Sequence, residues 1–467
     1  MSIFNSDLKP EDVSALLKDV KKRLHFVGIL GSGMYPLARL LAARGYRISG
    51  SDDNAPDVPY RDDSGISIIK ERGSVGADAV IYSLAIAEEN GDISYAKAHG
   101  IPLISRAQLL GALMSTYKIR ISVSGSHGKS TTTALIDHIL SVSGREHTTV
   151  SGAALSCGSA YFDRGGETFV AEACEYKDSF LRLCPTHQLI TSVELDHTDY
   201  FESEDMLRAS FLKAAESADV LIACADDPNA LSIAKKVRDK GKRRVLTYGM
   251  REDSDYRISA VARQGDITRF SIFCGVREIR LSTSLIGDFN LLNIAAAVTL
   301  ADVLDVDTMD IERAIESFSS IERRLTLIAK NGEVPIYYDY AHHPSEIRAV
   351  ISALKERYGE LTVIFRPHTY SRTKSLWQDF ISALSKADFT ILLDIYPARE
   401  KSIPDVSSQK LAEAINGAVC LEMSDAAKYA LSRGSSAIAL LGAGEVGEVK
   451  RELIEFCKKK GSVPERR

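Results

Sequence analysis

The sequence predicts an α/β fold in three domains: a Rossmann-like N-terminal domain, a central P-loop domain on a mostly parallel sheet, and a Rossmann-like C-terminal domain. Three observations carry the prediction. Short β-branched runs alternate with helix-period stretches along most of the chain, which is how parallel sheets covered by helices read in sequence. At 467 residues the chain is too long for one core and suits about three domains of roughly 150 residues each. The run Ile119-Arg-Ile-Ser-Val-Ser-Gly-Ser-His-Gly-Lys-Ser-Thr131 passes from a strand through a glycine loop into a helix, the local shape of a polyphosphate seat.

The first segment, residues 1–113, begins with a polar, helix-patterned stretch from Met1 to Lys22, followed by a buried strand from Leu24 to Leu30. Gly31, Ser32, Gly33 and Met34 form a tight turn, Leu37 to Arg44 a helix, and Arg47 to Asp52 a second strand that brings in Ser51 and Asp52. Strands at Ala77 to Ser83 and Ile101 to Ser105 continue the alternation. A dinucleotide fingerprint would need its third glycine where Pro36 stands. The turn therefore reads as a seat for some other nucleotide-containing ligand, with NAD and a purely structural βαβ unit as alternatives.

In the second segment, residues 114–322, four devices converge on one anion. Backbone amides around Gly125, Ser126, His127 and Gly128 point at phosphate oxygens, and the helix from Thr131 to Leu140 adds its dipole. Lys129 supplies a cation, and Ser130 offers an oxygen to Mg²⁺. The strict motif has a further glycine where Val123 stands, but the strand before and the helix after preserve its mechanics. Strands follow at Thr168 to Glu172, Gln188 to Val193, Val220 to Ala223 and Arg244 to Tyr248. Between Tyr256 and Leu285 the alternation has period two, which predicts a small antiparallel addition. Glu172 ends an apolar strand and is either a metal ligand or a satisfied strand-end acid. Glu175 follows on the loop, and Asp196-His197 stands beyond the next strand. Asn290 and Asn293 open a helix that runs to about Leu304. Capping accounts for Asn290 but less well for Asn293, and Phe289 is either a base-stacking ring or plain core.

The third segment, residues 323–467, has strands at Ile336 to Asp339, Leu361 to Phe365, Phe389 to Asp394 and Ala437 to Leu441. Arg323-Arg324 at its start suits phosphate clamping or surface solvation. Asp339-Tyr-Ala-His-His343 and Arg366-Pro-His368-Thr-Tyr-Ser-Arg372 both follow strands directly and suit an anionic small molecule. Three nucleotide-type folds in tandem predict a site assembled between domains.

Composition narrows the function classes. A net charge of -5 disfavours nucleic acid as the main partner. No apolar run reaches the ~18 residues of a membrane span, and the start of the chain lacks the apolar core of a signal peptide, so a cytoplasmic protein is expected. The seven cysteines form no Cys-x-x-Cys pair and read as reduced, buried thiols.

Taken in order, these stations resemble the Mur ligase family over nearly the whole length. The carriers are His25-Phe-Val-Gly with Gly33-Met34, Ser49-Gly-Ser-Asp52, Gly125 to Thr131, Glu172-Ala-Cys-Glu175, Glu194-Leu-Asp-His197 with Asp199-Tyr200, Asn290-Leu-Leu-Asn293, Arg323-Arg324, Asp339 to Glu346 and Pro367 to Thr373. The resemblance is greatest to the branch that joins L-alanine to UDP-N-acetylmuramate. It implies an amide ligase using ATP and Mg²⁺, with Mn²⁺ as an acceptable substitute, acting through an acyl phosphate as a monomer or homodimer. Lys129, Glu172, His197 and Arg324 are then catalytic, with Ser130 a ligand of the ATP-bound Mg²⁺ and Glu172 and His197 holders of a second metal ion near the acceptor carboxylate. Gly125 to Thr131, Phe289, Asn290, Asn293, Arg324 and Asp339 bind ATP. Gly31 to Met34, Ser51, Asp52, His343, His368 and Arg372 bind substrate. Cys174 and Lys177 stand where the family tends to have aspartates, and Phe289 where histidine is common. Rival readings are a ligase adding a whole peptide during wall recycling, an NAD-dependent oxidoreductase, and a nucleotide-gated regulator.

Overall fold

The structure is a computed structural model that describes residues 10–70, 76–197, 200–398 and 400–459. The alternation builds three sheets. The first has six strands in the order Tyr60–Arg61, Ser67–Ile69, Arg47–Ser51, Arg23–Val27, Ala79–Tyr82 and Leu103–Ser105, all parallel except the Tyr60–Arg61 edge. The chain winds outward in one direction from Arg23–Val27 and then returns to its other side. The crevice beyond the carboxyl end of that strand is thus a topological switch point, and the turn carrying Gly31 and Gly33 occupies it.

The second sheet has ten strands, ordered Arg277–Thr283, Ile267–Cys274, Tyr256–Gln264, Arg244–Gly249, Val220–Cys224, His187–Ile190, Ile119–Ser124, Thr168–Glu172, His147–Val150 and Tyr161–Asp163. The predicted antiparallel addition is present, as a ribbon at one edge of this sheet. Ile119–Ser124 lies between Thr168–Glu172 and His187–Ile190, and the winding direction reverses beside it, again at a switch point. The third sheet is ordered Thr326–Asn331, Val334–Asp339, Ala437–Leu441, Leu361–Phe365, Phe389–Leu392 and Ala418–Cys420, with only the first pair antiparallel.

The chain forms two compact units: Met1–Ser284 with Leu292–Phe318, and Leu285–Leu291 with Ser319–Arg467. In the first unit one core cluster runs from Leu24, Phe26 and Leu37 under the first sheet through Met114, Phe169 and Phe180 to Phe211 and Leu221 under the second. In the second unit the third sheet buries one cluster around Ile347, Leu354, Phe365 and Phe380 and another around Ile336, Ile391, Leu440 and Leu453. Coverage on both faces is why its inner strands, such as Leu361–Phe365, are buried at every position.

Several expectations need correcting. The strand predicted from Leu24 to Leu30 ends at Val27, because Gly28 turns the chain at φ 74. An apolar run does not reveal where such a turn begins. The strand His147-Thr-Thr-Val150, which the sequence reading did not name, is polar in composition yet buried throughout. His147 meets the Arg145 carbonyl through Nδ1 at 2.8 Å and Asp137 through Nε2 at 3.0 Å, so its polar atoms are satisfied locally. The cysteines are all free, but only Cys224 and Cys457 are buried, and Cys157 is exposed. No helix among the described residues is long and apolar enough to cross a membrane.

Candidate functional site

The phosphate loop leaves the Ile119–Ser124 strand at Gly125 and enters a helix at Lys129, two residues earlier than predicted. Gly125 and Gly128 have φ 137 and φ 82. A side chain at Gly125 would run into Thr191 Oγ1, and one at Gly128 into Asn293 Oδ1. Both positions therefore require glycine for conformation and for space. The structure apportions the loop amides differently from the sequence reading. Those of Ser126 and His127 are spent on the Ser192 carbonyl and Oγ at 2.9 and 3.0 Å, which pins the loop to the exit of the His187–Ile190 strand. The helix ladder begins with the Thr132 amide on the Gly128 carbonyl at 2.9 Å, so Lys129, Ser130 and Thr131 supply the N-terminal amides that a helix start offers to an anion. His127 also meets Glu194 through Nε2 at 2.9 Å, so its ring is a clasp of the loop.

Ser130 and Glu172, predicted as metal ligands, come together: Ser130 Oγ donates to Glu172 Oε1 at 3.1 Å. Ser151 Oγ and the Gly152 amide hold Oε2 at 3.2 and 2.9 Å. A hydroxyl and a fixed carboxylate are the hard oxygen donors that Mg²⁺ prefers, so the residues present fit that ion. His197 is placed against Glu175 rather than Glu172, its Nε2 3.9 Å from Glu175 Oε1, with backbone φ 55 and its ring 4.8 Å from that of Tyr176. Lys129 Nζ donates to the Gly125 carbonyl, to the Ser126 carbonyl at 3.2 Å, and to Glu175 Oε2 at 3.1 Å. Burial opposes the charge of this ammonium, but Glu175 beside it and Glu172 nearby hold its pKa above the usual lysine range. Glu175, 2% exposed, was named by sequence reasoning only as the acid after Glu172 on the loop and was given no role. Its signal was only an acid three residues after Glu172, too common a spacing to mark it. Asp199 lies outside the described residues.

Asn293 receives a hydrogen bond from Thr132 Oγ1 at 3.3 Å, which seats it on the phosphate-loop helix. Asn290 is not a cap: the helix starts at Asp288, and Asn290 Nδ2 donates back to the Ile286 carbonyl at 2.9 Å. Phe289 packs against the core cluster of the second unit. The nearest explanation for that ring is packing.

At the first sheet, Asp52 spends its carboxylate on the turn, accepting from the amides of Leu30 and Asn54 at 2.9 and 3.0 Å. Ser51 is buried and donates to Asp92 at 2.5 Å, and Met34 is 2% exposed in the core. Those three positions build the turn, leaving Gly31, Ser32 and Gly33 as its surface. A Cβ on Gly33 would lie 2.8 Å from Arg106 Nη1, so this guanidinium, also unmarked by sequence reasoning, covers the turn. It begins the helix Arg106–Met114.

In the second unit Asp339 ends its strand and accepts from the amides of Leu325 and Ala341 at 2.6 and 2.7 Å. Burial pushes its carboxyl up to about 6, against the pull of the Arg324 charge. Arg323, at φ 64, lies 4.4 Å from the centre of the Tyr340 ring, and Arg324 lies 5.3 Å from it. His343 caps the helix Pro344–Tyr358 in a capping box with Glu346, its Nδ1 2.7 Å from Ser345 Oγ. That structural duty was not visible in a run of two histidines. His368 and Arg372 stand together, Nδ1 to Nη1 3.4 Å, and His368 stacks on Tyr396 at 5.6 Å.

Comparison with known proteins matches residues 23–118 to the catalytic domain of the Mur ligase family, 123–301 to the Mur ligase middle domain, and 323–445 to the Mur ligase glutamate ligase domain. The UDP-N-acetylmuramate–L-alanine ligase of Caldanaerobacter subterraneus subsp. tengcongensis is 36% identical over 456 residues, covering 94% of this chain and 98% of its own. The protein of that name from Arthrobacter sp. is 38% identical over 406 residues, covering 84% of this chain and 85% of its own. Among solved structures, the UDP-N-acetylmuramate-alanine ligase of Thermotoga maritima superposes with a TM-score of 0.78 at 23% identity, over 94% of this chain and 100% of that one. With matches spread across all three sheets, the chain belongs to the Mur ligase family.

Proposed function

We propose that this chain is an ATP-dependent ligase that joins L-alanine to UDP-N-acetylmuramate through an acyl phosphate, a step of peptidoglycan precursor synthesis. The observation that carries the reading is the convergence of Lys129, Ser130 and Glu172 at one strand-to-helix turn, in a chain whose curated relatives are named for this activity. The first-turn amides and Lys129 hold the polyphosphate. A Mg²⁺ held by Ser130 and Glu172 would neutralise charge as the sugar carboxylate nears the γ-phosphate. A carboxylate oxygen attacks the γ-phosphorus and the bond to the ADP oxygen breaks. The alanine amine then attacks the acyl carbon, and orthophosphate leaves with the C–O electron pair.

Residues 1–113 bind the UDP-sugar at the Gly31 to Gly33 turn, 114–322 bind ATP, and 323–467 supply the remaining contacts. In this reading His197 assists Glu172 with a second ion, Arg324 meets phosphate, Asp339 meets ribose, and Asn290 and Asn293 lie near the nucleotide. Arg372, with His368 beside it, is the cationic group that fixes the alanine carboxylate. The chain works in the cytoplasm, with Mn²⁺ as a substitute metal. The test is ADP release with UDP-N-acetylmuramate against single amino acids and the wall tripeptide, with oxygen-18 in the sugar carboxylate. L-alanine should be preferred and the isotope should pass into orthophosphate. Preference for the tripeptide, or amide formed with no isotope in orthophosphate, would sink the reading.

A further inference from the structure

We propose that Glu175 is a built-in competitor for the triphosphate and, at the same time, a positioning residue for Lys129 and His197. This deepens the reading above and rests on it. The Glu175 side chain is 3% exposed and Lys129 is 15% exposed. Lys129 Nζ lies 3.1 and 3.3 Å from the two Glu175 oxygens, and His197 Nε2 lies 3.9 Å from one of them. The three donors of the ammonium are thus met by two loop carbonyls and one carboxylate. A triphosphate has to displace at least one of these partners.

The carbonyls of Gly125 and Ser126 belong to a backbone pinned by Ser192, Thr191 and Glu194, so they do not withdraw. Glu175 is the charged partner and the only one on a side chain. It caps the short 3₁₀ segment Tyr176–Arg182, which is interrupted at Lys177 and Asp178 by φ 50 and φ 57. Its contact with Lys129 is therefore the one that yields. Because the pair is buried, salt screens it weakly, and the Glu175 carboxylate, left uncompensated when the ammonium turns away, opposes the incoming polyanion. Once the ammonium turns to phosphate, the same carboxylate still faces His197 and keeps that ring aimed. Binding and turnover consequently respond to Glu175 in opposite directions, which a purely structural acid would not produce.

The experiment compares the full chain with Glu175→Gln and Glu175→Asp. ATP affinity is measured by calorimetry in EDTA, and kcat and KM for ATP are measured with Mg²⁺, UDP-N-acetylmuramate and L-alanine. Glu175→Gln should bind metal-free ATP about fivefold more tightly, because one like charge is removed from a partly dehydrated phosphate seat. Its kcat should fall about tenfold while KM for ATP does not rise. Glu175→Asp, which keeps the charge but draws it back, should lie between wild type and Gln in affinity, and it decides the matter if Gln does not fold. Weaker metal-free binding by either variant, an unchanged kcat in a folded Gln variant, or no ATP binding by wild type would overturn the proposal. Absence of ligation by a wild type that binds ATP would sink the assigned reaction alone, since the affinity comparison still decides the competition.

Discussion

Replacing Lys129 by alanine perturbs chemistry and stability together, and both sizes follow from its surroundings. The ammonium is the cation beside the 3% exposed Glu175 carboxylate. Removing one partner of a buried pair costs about 3–5 kcal/mol, chiefly because the remaining charge is left uncompensated. Lys129 retains 15% exposure, so water enters part of the vacated space, and we expect the lower end, about 3 kcal/mol. Catalytically, one preorganised cation facing developing phosphate charge is worth about 10²–10³ in rate. UDP-N-acetylmuramate affinity should stay within about twofold, because the Gly31 to Gly33 turn and Arg106 are built on the first sheet and share no hydrogen bond with Lys129. The assays are ADP release, calorimetry with the UDP-sugar, and urea denaturation followed in the transition that reports the first unit. The double variant Lys129→Ala/Glu175→Gln should recover most of the lost stability while remaining inactive. A folded Lys129→Ala protein that no longer binds the UDP-sugar would refute the division of labour. A double variant no more stable than the single one would refute the buried-charge argument.

Arg106→Gln should weaken UDP-N-acetylmuramate binding about tenfold, the worth of one charge-assisted contact, and leave metal-free ATP binding unchanged; equal losses of both ligands by calorimetry would count against its place over the glycine turn. Gly128→Ala forces a Cβ into a φ of 82 and against Asn293 Oδ1. It should cost about 2–3 kcal/mol, since the left-handed conformation alone costs about 1–2, and nucleotide affinity should fall with it; an unchanged urea midpoint would contradict this. Asp339 carries a folded-state pKa of about 6 against an ordinary 3.8. The folded protein therefore holds a proton that the unfolded chain has already lost between those values, and stability contributed here is present below about 4 and lost as pH rises through about 6, by roughly 3 kcal/mol at most. The stability difference between wild type and Asp339→Asn should shrink by that amount over the window, and a difference independent of pH would show that Asp339 does not titrate as argued.

The legible part of this protein was local. Residues such as Ile119 to Thr131, Thr168 to Glu172 and Leu361 to Phe365 declare their strands and turns because period, β-branching and glycine act within a few residues of sequence. The resemblance named Ser130 and Glu172 as metal ligands on two separate ions; that the two side chains meet came only with the structure. Four other things were not legible: which amides of the phosphate loop are already spent, that Asp52 serves its own turn, that His343 is a helix cap, and that Phe289, half-buried, packs against the core. The polar ones depend on a partner across a strand pair or one helical turn away, as Ser192 is for His127 and Glu346 for His343. The role of Glu175, and Arg106 altogether, stayed hidden for the same reason. An acid or a guanidinium looks alike everywhere in a sequence, and only packing shows that one is sealed against Lys129 and the other laid over Gly33. Local propensity thus settles the elements and the chemistry on offer, whereas burial and proximity, which arise only when distant strands pair, decide which groups retain charge and valence for a ligand.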